Sequence, residues 1–214
     1  MQFAPGALAL VLIGSGPGLL AQQWEIGGAA GFGLPREAGV SGPSIAGNAG
    51  FSNGVAFGAV AGNNMYGRLG GEARYTYRAS DLKLTAAGQS VGLNGEAHAI
   101  HYDLLLHAAP AKAIVRPFLA GGAGVKLFRG TGTERSFQPL SEIAVLSRTS
   151  EAKPLVSVGG GVKIALSDHA LVRFDLRDYA SPFPEKLIAP RRGVNLNGWL
   201  HDFVFLVGIS LTVK

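Results

Sequence analysis

The stretch GGEARYTYR, residues 70–78, splits by parity: Ala73, Tyr75 and Tyr77 alternate with Glu72, Arg74, Thr76 and Arg78. A period of two puts alternate side chains on opposite faces of a β-strand. Residues 171–179, LVRFDLRDY, repeat the pattern, with Val172, Phe174 and Leu176 against Arg173, Asp175 and Arg177. Each stretch carries three charges on one parity, which predicts strands with one apolar and one charged face.

Six further segments fit the same template: residues 24–34, 55–62, 96–107, 115–128, 155–166 and 199–213. About ten residues is the length that a tilted membrane-spanning strand needs. Acidic and basic groups keep to the polar parity, with Asp178, at a strand end, as the exception. The links give a second, independent signal. Those at 63–69, 108–114 and 167–170 are short, and those at 35–54, 79–95, 129–154 and 180–198 are long, in strict alternation. Outer-membrane barrels alternate in this way, with short periplasmic turns and long extracellular loops.

Composition agrees. The chain of 214 residues carries 32 glycines, roughly double the usual share of about 7%. Glycine recurs inside apolar runs at 27–33, 121–124 and 159–161, where a strand tolerates it better than a helix does. There is no cysteine, hence no disulfide, thiolate metal site or lipid-attachment cysteine. Net charge is +5, with no dense basic cluster interleaved with aromatics, so nucleic acid is not an expected partner. Residues 1–21 read as a secretory signal peptide cleaved after Ala21, although the first six residues lack Lys or Arg. Gly14, Gly16, Pro17 and Gly18 interrupt the one candidate for a membrane helix. An exported, apolar chain without such a helix points to the other spanning solution, a closed barrel.

The expected fold is therefore all-β: an eight-stranded antiparallel up-and-down transmembrane β-barrel over residues 22–214. A soluble barrel would turn its apolar face inward. Here the charged face is rich in small residues and carries both signs, as the narrow interior of eight strands requires. The expected lumen network comprises Glu72, Arg74, His101, Asp103, Lys126, Lys163, Arg173, Asp175, Arg177 and Asp202, with Glu25 and Arg78 on the same face. Trp24 is the expected marker of the periplasmic interface, and Tyr75, Tyr77 and Trp199 of the outer one.

The stretches LGGEARYTY (69–77), IHYDLLLH (100–107), RPFLAGGAGVKLF (116–128) and HDFVFLVGISL (201–211) resemble the small eight-stranded outer-membrane barrels related to the barrel domain of outer membrane protein A. The resemblance covers residues 22–214 and implies membrane insertion and a barrel, with no specific ligand. A peptidoglycan-binding domain after Lys214 is not expected, so the anchoring role of larger relatives is not carried over from the resemblance. Last strands of such barrels usually end in an aromatic residue, whereas Leu211 and Val213 are aliphatic and Lys214 follows.

No catalytic or ligand site stands out against this frame. None of the histidines, His98, His101, His107, His169 and His201, is read as having a serine two residues away, the spacing that would put nucleophile and base on one strand face. His101 and His107 are six residues apart, about 20 Å along a strand, too far for one ion to bridge. Gly14–Gly18 lies in the signal segment, and the glycines at 130 and 132 lie in a long connection with no helix following, so no phosphate loop is read. Lys186, Arg191 and Arg192 read either as a lipopolysaccharide phosphate site on an outer loop or as solvated charges. The expected function is a structural or surface-interaction barrel in the bacterial outer membrane, largely plugged and monomeric. It has no cofactor, contacts membrane lipids and lipopolysaccharide, meets the barrel-assembly machinery during insertion, and is not an enzyme. The alternatives are a narrow pore for small solutes and a lipid-modifying enzyme.

Overall fold

The computed structural model describes residues 24–41, 46–134, 137–196 and 198–213. The signal segment read at 1–21 lies outside them. The described residues contain fifteen strands and no helix.

Eight strands close the barrel: β1 (Trp24–Pro35), β4 (Gly54–Tyr66), β5 (Leu69–Ala79), β8 (Gly95–His107), β9 (Val115–Gly130), β11 (Ser150–Ala165), β12 (Ala170–Pro182) and β15 (Trp199–Val213). Each pairs antiparallel with its chain neighbours, and β1 pairs with β15 from Trp24↔Val213 to Pro35↔Asp202, so no edge is left open. All eight segments read from the sequence become barrel strands. Several run longer than expected, and β9 and β11 reach 16 residues each. At about 3.3 Å per residue, such strands exceed the thickness of the hydrocarbon core even when tilted. The turn read at 63–69 shrinks accordingly to Gly67 and Arg68, with Tyr66 paired to Leu69 and Gly67 at a φ of +24°.

The wall is apolar outside. Ile26, Phe32, Ile100, Leu104, Leu119, Val158 and Ile209 are each at least 59% exposed. A continuous band of this kind is an aggregation surface in water but the required surface in lipid. Parity holds throughout: Glu72, Arg74 and Arg78 on β5, and Arg173, Asp175 and Arg177 on β12, are all buried in the lumen.

The four long connections are not loops in the ordinary sense. They supply β2 (Ala38–Ser41), β3 (Ala46–Phe51), β6 (Leu82–Ala86), β7 (Gln89–Leu93), β10 (Ala144–Leu146), β13 (Ile188–Pro190) and β14 (Asn195–Leu196). Five of these form a sheet in the order β14-β2-β3-β6-β7, and β10 pairs with β13. Under them lies an apolar core drawn from all four connections: Val40 and Phe51, Leu82 and Leu84, Ile143 and Leu146, Leu187 and Ile188. Ala97, Phe128 and Leu200 join it from the barrel strands, so this cap continues into the upper lumen.

The polarity of the wall reverses at this height. Going up β9, the inward residues change from Lys126 to Phe128, while the outward ones change from Val125 to Arg129. On β15 Asp202 gives way to Leu200 inside, and Phe203 to His201 outside. On β12 the outward Leu176 is followed by Asp178, and on β8 the outward Ile100 by His98 and Glu96. Asp178 is thus not a lone exception to the charge parity, because Glu96 shares its outward placement. Both have partners on that side, Asp178 with His201 at 2.7 Å and Glu96 with Arg129 at 3.0 Å.

Candidate functional site

The lumen network forms in two parts. In the lower part, four carboxylates (Glu25, Glu72, Asp103, Asp175) meet four cations (Arg74, Lys163, Arg173, Arg177), all buried. Arg173 lies at its centre. Nη1 reaches Glu25 Oε1 at 2.8 Å, Nη2 reaches Glu72 Oε2 at 3.0 Å and Nε reaches Asp175 Oδ2 at 2.8 Å. Glu72 Oε1 also accepts from Arg74 Nη2 at 2.7 Å and from Arg177 Nη2 at 2.9 Å. Lys163 Nζ donates to Glu25 Oε2 at 2.5 Å. The Asp103 carboxylate accepts from His101 Nδ1 at 2.9 Å, and His101 Nε2 lies 3.1 Å from the Tyr179 hydroxyl.

The upper part is smaller. Asp202 Oδ2 accepts from Lys126 Nζ at 2.7 Å and lies 2.9 Å from Arg78 Nε. Arg78 also donates to Ser80 Oγ at 2.6 Å and to the Ser52 carbonyl at 2.9 Å. All ten residues read as a lumen network are therefore buried in the lumen, but Lys126 and Asp202 pair with Arg78, apart from the other eight.

Sequence reading missed several members. Phe118 projects inward, and the cationic groups of Lys163, Arg173 and Arg177 lie 5.6, 5.9 and 5.5 Å from its ring centroid. Tyr179, Thr76 and Ser157 add hydroxyls, at 3.1 Å between Tyr179 and Thr76 and at 3.4 Å from Ser157 to Asp103. All share the parity of the charged face, which is the signal that would have found them. Glycine makes the room: a Cβ on Gly124 would fall 2.5 Å from His101 Cα, and one on Gly159 would fall 2.9 Å from Arg177 Cδ.

Trp24 and Trp199 are half exposed, near opposite ends of the wall. Tyr75 and Tyr77 lie on the outward face of β5, and Tyr75 Oη is 2.8 Å from His98 Nδ1. His201 Nδ1 is 2.7 Å from Asp178 Oδ2 on the same outward side. Contrary to the sequence reading, the serine–histidine spacing does occur once in the chain, at Ser167 and His169 in the short turn, but there Ser167 Oγ accepts the backbone N–H of His169 at 3.3 Å. Among the described residues no serine hydroxyl hydrogen-bonds an imidazole, and no group of three or more potential metal ligands converges.

No protein-family model and no curated protein sequence matches the chain. Solved structures do. A major outer membrane protein from Thermus thermophilus aligns over 91% of this chain and 100% of its own, at a TM-score of 0.53 and 14% identity. Neisserial surface protein A aligns over 88% and 96%, at 0.52 and 12%. The chain has the fold of the small eight-stranded outer-membrane β-barrels.

Proposed function

We propose that the protein is a plugged barrel of the bacterial outer membrane that acts through its extracellular cap as a structural or surface-interaction element. The observation that carries this reading is the cap itself. Four long connections build a folded β-layer over a shared apolar core, with its outer surface held at one end of a rigid cylinder. Loops that only joined strands would have no reason to bury Leu82, Leu146 and Leu187 together. Placement in the outer membrane is supported by the exposed apolar wall, the alternation of turns and cap segments, and the likeness of fold.

The plug is supported by the lower network, in which four cations and four carboxylates cross the lumen, and by the apolar core above it. An exported precursor, insertion by the barrel-assembly machinery and function as a monomer belong to the same reading. Lys186, Arg191 and Arg192 give the cap cations for lipopolysaccharide phosphates. On this reading the protein is not an enzyme. Conductance in a planar bilayer tests the proposal. Purified protein is expected to insert without unitary current steps, and reproducible single-channel steps would establish the narrow pore instead. Fractionation with gel migration before and after boiling tests the location: a heat-modifiable band is expected in the outer-membrane fraction, and a soluble periplasmic band without a shift would overturn it.

A further inference from the structure

The outward face of β5, β8 and β9 carries a line of polar side chains that neither the lumen nor the cap uses. Tyr75 Oη lies 2.8 Å from His98 Nδ1, and the Tyr77 ring meets the imidazole edge-on at 5.4 Å between centroids. His98 Nε2 lies 3.4 Å from Glu96 Oε1, which also pairs with Arg129 Nη1 at 3.0 Å. Tyr77 stands opposite His98 and Glu96 opposite Arg129, so the line is continuous across the three strands. The Glu96–Arg129 pair carries no net charge and so does not select an anion. It does set an acceptor beside donors. Glu96 Oε2 makes no hydrogen bond among the described residues and is not shielded, and Arg129 is half exposed. Sugar hydroxyls both donate and accept, and the flanking tyrosines offer an apolar ring with a polar tip.

Lower on the same three strands, a groove of about 160 Å³ opens on the outer side of the wall, between Leu69, Leu104 and Leu106 on one flank and Leu119 on the other. Gly121 stands opposite Leu104 and forms its floor. The fold itself does not require glycine there, since a Cβ would meet only the Ser157 carbonyl oxygen, at 4.0 Å. Eight residues separate Glu96 from Leu104. That is roughly 26 Å along a strand, and about 20 Å along the axis of a tilted barrel, the reach of a long acyl chain.

We propose that these strands seat one outer-leaflet glycolipid, with its sugar on Glu96, Arg129 and Tyr77 and one acyl chain in the groove over Gly121. The proposal rests on the outer-membrane reading and gives its lipid contact a place and a head-group chemistry. Native mass spectrometry of the full chain in detergent tests it. Diglucosyl-dipalmitoylglycerol and dipalmitoylphosphatidylglycerol, equal in chain length, are offered together. One glycolipid per barrel is expected to be retained, at least tenfold more tightly than the phosphatidylglycerol. Arg129→Ala, which removes the donors, and Gly121→Leu, which fills the groove, are each expected to weaken retention tenfold or more. Gly28→Leu makes the same change on β1, across the barrel, where a Cβ also has open space, and is expected to leave retention unchanged. Phosphatidylglycerol retained as tightly as the glycolipid, parent-like retention in Arg129→Ala or Gly121→Leu, or an equal loss in Gly28→Leu would each overturn the proposal. A parent chain that is soluble and shows no heat shift would instead overturn the outer-membrane reading beneath it.

Discussion

Arg173 and Phe128 lie in one continuous interior and are filled around by opposite means. Arg173 has three carboxylates within 3.0 Å. Phe128 stacks on Phe51 at 5.1 Å within a core of aliphatic side chains. The difference follows from what lies outside the wall at each height. Where lipid surrounds the barrel, apolar side chains are needed outward and the charges turn inward. Where water surrounds it, the charges turn outward and the apolar groups bury themselves. A lipid-embedded strand also cannot slip by one residue, because Arg173, Asp175 and Arg177 would move together into hydrocarbon. The charged lumen thus fixes register, whereas the cap core supplies cohesion.

The strongest way to break the comparison is to unpair the lower network. Glu72→Gln removes a partner shared by Arg74, Arg173 and Arg177, and is expected to cost about 3–5 kcal/mol, as is Arg173→Met, because each leaves a buried charge uncompensated. Urea unfolding followed by heat-modifiable migration measures it, and stability equal to the parent in both variants would show that the network does not hold the barrel. Leu187→Ala, fully buried in the cap, is expected to cost about 2–5 kcal/mol by leaving a cavity. The effect should be local, with protease cutting the cap while the heat-shifted barrel band persists; loss of that band would show that the two regions unfold as one. The reversal of polarity makes a paired prediction. Leu104→Arg on the lipid-facing wall is expected to cost about 2–4 kcal/mol, whereas Glu96→Leu, on the same face of β8 above the reversal, changes stability little. Equal costs at the two sites would remove the lipid-to-water boundary placed between them. Least affected should be Lys83→Ala, which breaks the exposed Lys83–Glu37 pair at 3.0 Å, at about 0–1 kcal/mol and vanishing in high salt.

The barrel was legible in the sequence because a membrane strand states its two environments every second residue. Runs such as 171–179 declare their faces without reference to any partner. The same parity indicated which side chains enter the lumen but not whom they meet, since Arg173 and Glu72 are 101 residues apart and only closure brings them together. The cap was not legible, because its strands are two to six residues long and each connection contributes only part of a core. One local signal was present. Leu82, Leu84 and Ala86 alternate before a turn at Ala87 and Gly88, with Val91 and Leu93 following, and both turn residues take positive φ, as a tight hairpin turn requires. Arg116 and Phe118 carried the charged-face parity as well, but their meaning depends on the residues opposite them.

The cap's shared core imposes an order of events on biogenesis. Its four contributions travel on four separate hairpins, and none of them can bury its own leucines alone. With the cap outside the cell, as proposed, every connection crosses the membrane unfolded, and the cap can assemble only after the barrel has brought its neighbours alongside. During that interval Phe51, Leu84, Leu146 and Leu187 are exposed, and the protein is then at its most vulnerable to proteolysis and to association with other chains. Timed protease pulses during refolding into vesicles should record the interval as a heat-shifted barrel whose long connections are still cleavable. Protection of the connections that arrived before the heat shift would reverse the order.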